Sequence, residues 1–408
     1  MLPAHLAFPI HHGTRIHIGV TGSVAAYKAL ELLRMFQELE LVVSATLTEA
    51  ATRFITPLSF EALGASHVGS AMWSGPDSAF GHLEPAQEAS CMVIAPATAN
   101  FLAKITHGIA DDLLSTQALA FLGPLVVAPA MNPRLWQASA NQANVDTLLA
   151  RGVNFVGPAC GAMACKESGK GRLASLESIV ASVLKALTKQ DLSGRKVLVT
   201  LGPTREFFDP ARYWSNPSTG LMGGCLAMAA WLRGARVSVV QGSVSLWLPE
   251  DIERHPVESA QQMFDASVSL WPEQDYGIMT AAVSDFSPRP HGPEKFKKRG
   301  LADEIFPIDF HRNPDILKTL GGRKQPGQLL MGFCAETSDL LQHAAMKLQE
   351  KNCDLMVANR IGQADSGFAS STNRVHVLDR AGRCEEWPML GKAEVAWRLL
   401  EWMTHLLP

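Results

Sequence analysis

The amino-acid sequence predicts an α/β protein of two doubly wound domains in tandem, and three observations predict it. Short apolar segments alternate with helical patterns along the whole chain. Each half opens on an apolar strand that runs into a turn of small residues, Arg15-Ile-His-Ile-Gly-Val-Thr-Gly-Ser-Val-Ala-Ala26 and Leu192-Ser-Gly-Arg-Lys-Val-Leu-Val-Thr-Leu-Gly-Pro-Thr-Arg-Glu206. At 408 residues the chain is also too long for one ordinary core. Strands alternating with helices imply parallel sheets covered on both faces. Such sheets bind ligands at the carboxyl ends of their strands.

In the first half, strands are expected at 15–20, 41–47, 91–95, 124–128 and 153–157. Ala25, Ala29, Leu32, Phe36 and Leu39 recur at alternating steps of four and three, the stripe of an amphipathic helix. A helix over 176–188 closes this half. The polar stretch Lys189-Gln-Asp-Leu-Ser-Gly194 reads as a linker, dividing the chain into domains 1–189 and 190–408. The second half repeats the pattern, with strands near 196–200, 235–240, 276–281, 329–333 and 355–358. Its first helix is expected to carry Leu221, Cys225, Met228 and Leu232 on one face. Residues 287–300 contain Pro288, Pro290 and Pro293 and then Lys295-Phe-Lys-Lys-Arg299. They read as a loop that cannot pack as a core element, either a mobile ligand lid or a disordered connection.

Composition narrows the class. Hydrophobic residues make up 47% and charged residues 18%, which describes filled globular domains. A net charge of −3 gives no bulk basic field for nucleic acid or an anionic membrane, so local groups must hold any anionic ligand. The longest mostly apolar run, Ala118 to Met131, is broken by Gly123 and Pro124 and is too short to span a bilayer. The N-terminus has no charged leader of the signal-peptide kind. Seven scattered cysteines without a CxxC pair argue against a disulfide framework and for a reducing cytoplasm. Cys91, Cys225 and Cys334 sit in apolar runs and read as core filling. Cys165 does not.

Candidate ligand positions fall at strand ends. Gly22-Ser23 lies where strand turns to helix, and its N–H groups and hydroxyl could cradle a phosphate, although capping a helix is the commoner work of such a serine. Ala95-Pro-Ala-Thr-Ala-Asn100 and Pro129-Ala-Met-Asn132 follow two further strands. Together with Gly19-Val-Thr-Gly-Ser-Val-Ala-Ala-Tyr-Lys28, Thr48-Glu-Ala-Ala51, Gly81-His-Leu-Glu84 and Ala164-Cys-Lys-Glu-Ser-Gly-Lys-Gly-Arg172, these motifs resemble the FMN-dependent cysteine decarboxylases. The second half resembles phosphopantothenate–cysteine ligase. In this order and combination the motifs resemble the bifunctional coenzyme A biosynthesis family over all but about a dozen N-terminal residues.

The resemblance implies a flavodoxin-like or Rossmann-like, FMN-binding decarboxylase followed by a Rossmann-like, CTP-dependent ligase. In the first, FMN oxidises the thiol of 4′-phosphopantothenoyl-cysteine, carbon dioxide leaves, and return of a hydride and a proton gives 4′-phosphopantetheine. His82 matches the histidine that handles the substrate carboxylate and the initial oxidation. Asn132 matches the carboxylate-binding amide. Cys165 matches the proton donor, and an ordinary thiol with a pKa of about 8.5 is protonated at neutral pH. The FMN contacts carried over are Gly22, Ser23, Thr48, Phe54, Thr98, Asn100, Asp112 and Met131. Lys166 stands where the family has glycine and Leu173 where methionine is common. The segment around them is expected to be a clamp kept flexible by Gly169 and Gly171.

For the ligase the resemblance implies transfer of CMP from CTP to the carboxylate of 4′-phosphopantothenate, then attack by the cysteine amine on the acyl-cytidylate. Such a concentration of negative charge needs Lys or Arg and a divalent cation, most simply magnesium. Lys295 matches the essential lysine, and Asp285 the acid near metal and nucleotide. Met279, Thr280 and Ala281, then Pro314, Asp315, Ile316 and Leu317, then Phe333, Lys347 and Lys351 match the nucleotide contacts. Arg212 and Asn216 match the acyl-substrate motif. Leu221 replaces a lysine of the family pattern. Two other readings stay open at this point, a decarboxylase with a decayed ligase domain and a flavin-binding regulatory protein. The resemblance also implies a homo-oligomer of trimeric decarboxylase and dimeric ligase domains.

Overall fold

A computed structural model describes residues 2–72, 83, 87–162, 167–297, 307–336, 339–360 and 370–406. The chain forms two compact units. One contains Phe8–Lys189, the other Gln190–Pro408 together with the short segment Ala4–Ala7.

In the first unit, β1 (Arg15–Val20), β2 (Val42–Leu47), β3 (Val68–Gly69), β4 (Cys91–Ala97), β5 (Leu125–Pro129) and β6 (Asn154–Phe155) lie in the order β3-β2-β1-β4-β5-β6. Every pairing in this sheet is parallel. The order reverses direction between β1 and β4, which defines the topological switch point of a doubly wound sheet. β4 is buried at all seven residues and β1 and β2 at five of six, the continuous apolar run of strands covered on both faces. One core layer consists of Met92, Ile94, Phe101, Leu114, Val127, Trp136 and their neighbours. The first helix differs from its expected span. Ser23 caps a single 3₁₀ turn, Val24–Tyr27, and the α-helix itself runs over Lys28–Glu38. An antiparallel hairpin, β7 (Ala159–Ala162) and β8 (Ser168–Arg172), follows the sheet, and the helix Leu176–Leu187 closes the unit.

The second unit repeats the plan. Its strands are β9 (Lys196–Leu201), β10 (Arg205–Asp209), β11 (Arg212–Ser215), β12 (Arg236–Gln241), β13 (Glu253–Pro256), β14 (Tyr276–Met279), β15 (Phe286–Pro288), β16 (Phe310–Arg312), β17 (Leu329–Glu336), β18 (Leu355–Arg360), β19 (Thr372–Asn373), β20 (Val375–Asp379) and β21 (Cys384–Glu386). The main sheet has the order β13-β12-β9-β14-β17-β18-β20-β21, parallel up to β18 and antiparallel beyond it. The predicted doubly wound class therefore holds in both units.

Two elements differ from their sequence patterns. The helix Leu221–Leu232 is buried from Gly223 to Leu232 without interruption, so it has no single apolar face. Its Gly, Ala and Cys residues admit close neighbours on every side; a Cβ on Gly223 would collide with Leu201 and Thr280. The stretch 287–300 is only partly loop, because β15 pairs antiparallel with β16.

Among the described residues six cysteines are free, with Cys91, Cys225, Cys334 and Cys353 buried. Burial pushes the thiols of Cys91, Cys225 and Cys353 up to about 12, which suits core filling. No helix of the described residues is long and apolar enough to cross a membrane.

His17, on β1, is fully buried, with Nδ1 2.8 Å from Ser44 Oγ and Nε2 3.0 Å from Thr46 Oγ1. Burial lowers its pKa from 6.5 to about 4, and His11 of the same unit is lowered to about 4, chiefly by burial. The unfolded chain thus takes up protons below pH 6.5 that the folded unit refuses until about pH 4. Stability is lost as pH falls through that window, by up to about 1.4 kcal/mol per pH unit for each such group. His17→Gln should remove about half of this slope, read as the urea midpoint of the first unit between pH 7 and pH 5.

Candidate functional sites

At the carboxyl edge of the first sheet, a set of polar side chains begins the helices. Ser23 Oγ accepts from Ala25 N at 3.4 Å, Thr48 Oγ1 from Ala51 N at 3.2 Å, and Thr98 Oγ1 from Phe101 N at 3.4 Å. Asp112 closes a capping box with Ser115, and Asn132 Oδ1 accepts from Arg134 N at 2.8 Å. Each therefore fills the ordinary capping role. The caps also turn the helix starts and their N–H groups toward one edge. Thr21, which the sequence reading passed over, ties two strand ends together. Its hydroxyl donates to Pro96 O at 2.7 Å and accepts from Thr98 N at 3.0 Å.

A cavity of about 550 Å³ opens at this edge, lined by Ser23, Ala25, Lys28, Met131, Asn132, Arg172 and several neighbours. Of the expected flavin contacts, Ser23 and Met131 line it, and Asn132 joins them. Thr48, Phe54, Thr98, Asn100 and Asp112 are not in its wall. Phe54 is 53% exposed and Asn100 is exposed. The Asp112 carboxylate is engaged by Ser115 N and by Lys104 Nζ at 2.7 Å. Gly22 packs against the helix after β2, where a Cβ would meet Ala50.

His82, Cys165 and Lys166 lie outside the described residues. Glu167, which follows them, accepts from Asn132 Nδ2 at 2.7 Å and pairs with Arg134 at 3.0 Å. The hairpin carrying this segment is held close to the strand-end turn, with Met131 N donating to Gly171 O at 2.9 Å. Gly171 thus serves close approach rather than flexibility: a Cβ there would run into the Met131 carbonyl oxygen. Leu173 is buried and forms part of the cavity wall.

The second unit has its own cavity, of about 460 Å³, at the ends of β9 and β14. It gathers Met279, Ala281, Asp285, Pro314, Asp315, Ile316, Leu317, Phe333 and Lys351 from four separate stretches of sequence. Arg312, Asn313 and Lys318 also line it; they adjoin the Pro314 motif, which is the signal that could have found them. Asp315 caps the helix Ile316–Gly322 and sits 3.2 Å from Lys351 Nζ. Asn313 N donates to Asp285 O at 2.9 Å, which joins the helix entry to the strand-end turn.

Three of the residues expected at the CTP site are not in this wall, nor are Arg212 and Asn216. The Thr280 hydroxyl turns to Thr200 O at 2.7 Å. Lys347 Nζ is 2.6 Å from Glu336 Oε1; burial pulls its pKa down, but the Glu336 carboxylate outweighs that and holds it above the usual range. Lys295 is exposed. Among the described residues no group of three or more His, Cys, Asp or Glu is placed to hold a metal ion.

Lys295 lies in an anchored loop. Asp209 accepts from Ala211 N and Arg212 N, each at 2.8 Å, from Phe296 N at 3.0 Å and from Arg212 Nη1 at 3.0 Å. Burial raises its pKa, yet the three backbone donors and the Arg212 charge prevail and hold it below the usual carboxylate range. Phe296 also stacks edge-on against Phe208 and His291, with centroids 5.6 and 4.9 Å away. The loop expected over 287–300 is thus tied to β10 through Phe296, with its residues 289–295 exposed; 298–300 lie outside the described residues. Asn216 is separate from this anchor, its Nδ2 donating to Ala282 O at 3.2 Å.

Two doubly wound units, each with a cavity at the carboxyl edge of its sheet, define a two-site α/β enzyme. The family described as Flavoprotein matches residues 11–188, and that described as DNA/pantothenate metabolism flavoprotein C-terminal domain matches 192–407. The chain is 40% identical to the coenzyme A biosynthesis bifunctional protein CoaBC of Bacillus subtilis, over 95% of this chain and 96% of that one. It is 41% identical to the protein of the same name from Haemophilus influenzae, over 94% and 96%, and 38% identical to that of Escherichia coli, over 91% and 92%. A solved C-terminal domain of a CoaBC protein is 36% identical over 53% of this chain and 98% of its own, with a TM-score of 0.45. The chain belongs to the family of coenzyme A biosynthesis bifunctional proteins, enzymes with a flavoprotein half and a pantothenate-metabolism half.

The Asp209 anchor yields a prediction for the free protein. Asp209→Ala should leave both sheets folded but release the loop, so that tryptic cleavage at Lys295 and Lys297 becomes several-fold faster. Unchanged cleavage would mean that the aromatic contacts alone hold it.

Proposed function

We propose that the second unit joins 4′-phosphopantothenate to cysteine at the expense of CTP, and that the first decarboxylates the product with FMN. The observation that carries this reading is the likeness of both halves, in order, to bifunctional relatives along nearly their whole length. The chain would act in the cytoplasm as a homo-oligomer.

The first cavity suits FMN. It is apolar along Val24, Ala25, Ala130, Met131 and Leu173, and polar at Ser23 and Asn132. Ser23 caps with its oxygen and keeps its proton, so it can still donate to a phosphate; Gly22 lets the backbone come close. Thr48, Thr98 and Asp112 hold the adjoining helix starts in position, with Asn100 exposed in the first turn of one of them and Phe54 an exposed apolar face. When bound, FMN supplies the two-electron oxidation and its reversal. Asn132 binds the substrate carboxylate through the amide now on Glu167, so substrate entry exchanges one carboxylate partner for another. His82 takes a proton at the start. Cys165 returns one at the end.

In the second cavity Arg312, Lys318 and Lys351 offer positive charge to a triphosphate. Phe333 and the 279–281 backbone face the base. Asp285, whose carboxylate makes no hydrogen bond or ion pair among the described residues, suits a magnesium ion that takes one protein carboxylate and completes its shell with phosphate and water. Arg212 holds an anionic group of the acyl substrate, Asn216 orients the acyl-cytidylate, and Lys295 reaches the reacting charge from the anchored loop. Lys347 supports the site through Glu336.

The purified protein should be yellow and release FMN on denaturation; colourless protein that cannot be reconstituted would end the decarboxylase reading. Cys165→Ser should still evolve carbon dioxide and accumulate an oxidised ene-thiol, whereas His82→Asn should stall before oxidation. Lys295→Gln should slow pyrophosphate release from CTP by on the order of 10²–10³. Asn216→Asp should form acyl-cytidylate and turn it over poorly with cysteine. If the native protein releases no pyrophosphate with CTP, Leu221 marks a decayed ligase and only the decarboxylase remains.

A further inference from the structure

The short segment Ala4–Ala7 belongs to the second unit, where Ala4–Leu6 forms a 3₁₀ turn packed against the helices Leu221–Leu232 and Lys392–His405. Its His5 and Leu6 side chains are buried. His5 Nε2 donates to Trp247 O at 2.6 Å, and the two rings stack with centroids 6.3 Å apart. A carbonyl oxygen only accepts, so Nε2 carries the proton. Burial lowers the pKa of His5 from 6.5 to about 4, which keeps the ring neutral at neutral pH. Neither of the proposed reactions uses this histidine.

Trp247 lies in the loop between β12 and β13, and that loop is stitched to the exit of β9. Gly242 N donates to Leu201 O at 2.9 Å and Ser243 N to Pro203 O at 3.1 Å. A Cβ on Gly242 would strike the Pro203 oxygen, and one on Gly202 or Gly220 would crowd the Val244 side chain. Leu246 fills the space over Gly224, in the first turn of the helix Leu221–Leu232. The exit of β9 is bonded in turn to the second cavity. Ala282 N donates to Gly202 O at 3.0 Å, and Ala282 stands between the wall residues Ala281 and Val283. Three side chains hold the carbonyls of the loop: Gln241 Nε2 holds Val244 O at 2.8 Å, Arg254 holds Leu248 O, and His5 holds Trp247 O between them. Without the ring, one carbonyl loses its donor and the loop loses its middle tie.

We infer that His5 is a positioning residue of the ligase: by holding the Trp247 carbonyl it fixes the loop 242–248 against the β9 exit, and through that exit the wall that receives CTP. The inference rests on the proposed ligation. His5 acts through the loop and not on the nucleotide, so its loss is felt in how well CTP is bound more than in how fast the bound nucleotide reacts. The first unit, which holds the proposed decarboxylation, does not include this segment. Residues that precede every strand of the first sheet thus serve the second site.

The test uses the full-length, flavin-loaded protein and reads two quantities. Hydrogen exchange of the 242–248 amides, followed by mass spectrometry without any ligand, should be several-fold faster in His5→Ala than in the native protein. In pyrophosphate release, KM for CTP should rise several-fold in that variant while kcat stays within about twofold. Decarboxylation of 4′-phosphopantothenoyl-cysteine should be unchanged. His5→Gln, whose amide can donate from nearly the same place, should restore both readings, and Ala7→Ser, an exposed change in the same segment, should alter neither. A lower melting temperature with exchange and KM as in the native protein would overturn the inference, because His5 would then only stabilise the fold. Equal loss of both activities would overturn it too. If the native protein releases no pyrophosphate from CTP, the proposed ligation fails, and exchange in the 242–248 segment still decides whether His5 holds the loop.

Discussion

The constraint on which both units rest is that a parallel sheet delivers every strand to the same edge. Most exits are turned into helices there, and each helix start brings N–H groups that no residue of the helix can satisfy. In the first unit Ser23, Thr48, Thr98 and Asn132 meet that need directly after strands, and Asp112 does so after a helix. Folding and ligand binding therefore draw on the same side chains. A cap satisfies a backbone donor with its oxygen, and a hydroxyl or amide keeps a proton to offer outward. Asp112 is paired with Lys104, which it shares with Asp111, so it belongs to the frame more than to the cavity.

The two cavities differ in how their charge is managed. In the second unit Arg312 ends β16 of the small β15-β16 pair, Lys318 lies in the helix Ile316–Gly322, and Lys351 caps the helix Leu340–Glu350, so the cavity's cations come from three elements. In the first, the wall is largely apolar and its cations stand at the border with an adjoining cavity. An aromatic cofactor suits the one and a crowded polyanion the other.

The central strands were legible because strands buried on both faces must be written as apolar runs, as in Cys91–Ala97 and Leu355–Ala358. Residues at their carboxyl ends, from Ser23 to Asp285, were legible for the same reason. The hairpin of β10 and β11 was not. Every residue of Arg212–Ser215 is exposed, so burial imposed no alternation on it. The helix Leu221–Leu232 was misread as one-faced because a fully buried helix contains a stripe like any other. Gly171 was read as a source of flexibility because the Met131 carbonyl oxygen that requires it lies forty residues away in sequence. The role of Asp209 was hidden likewise, since one of its four donors comes from Phe296.

That carboxylate connects two pieces of the second unit that contact no common ligand in the free protein. Arg212 is at once a partner of Asp209 and a neighbour of the lysine loop, with Nη1 3.3 Å from Phe296 O. An anion that draws Arg212 away takes a donor from Asp209 and an acceptor's partner from Phe296 in one movement. The loop is then retained by fewer bonds, and Lys295 is freer to move. By reciprocity, whatever fixes Lys295 elsewhere changes how readily Arg212 is given up. Were Arg212 and Lys295 each to meet a ligand, the two events would be coupled through the Asp209 carboxylate.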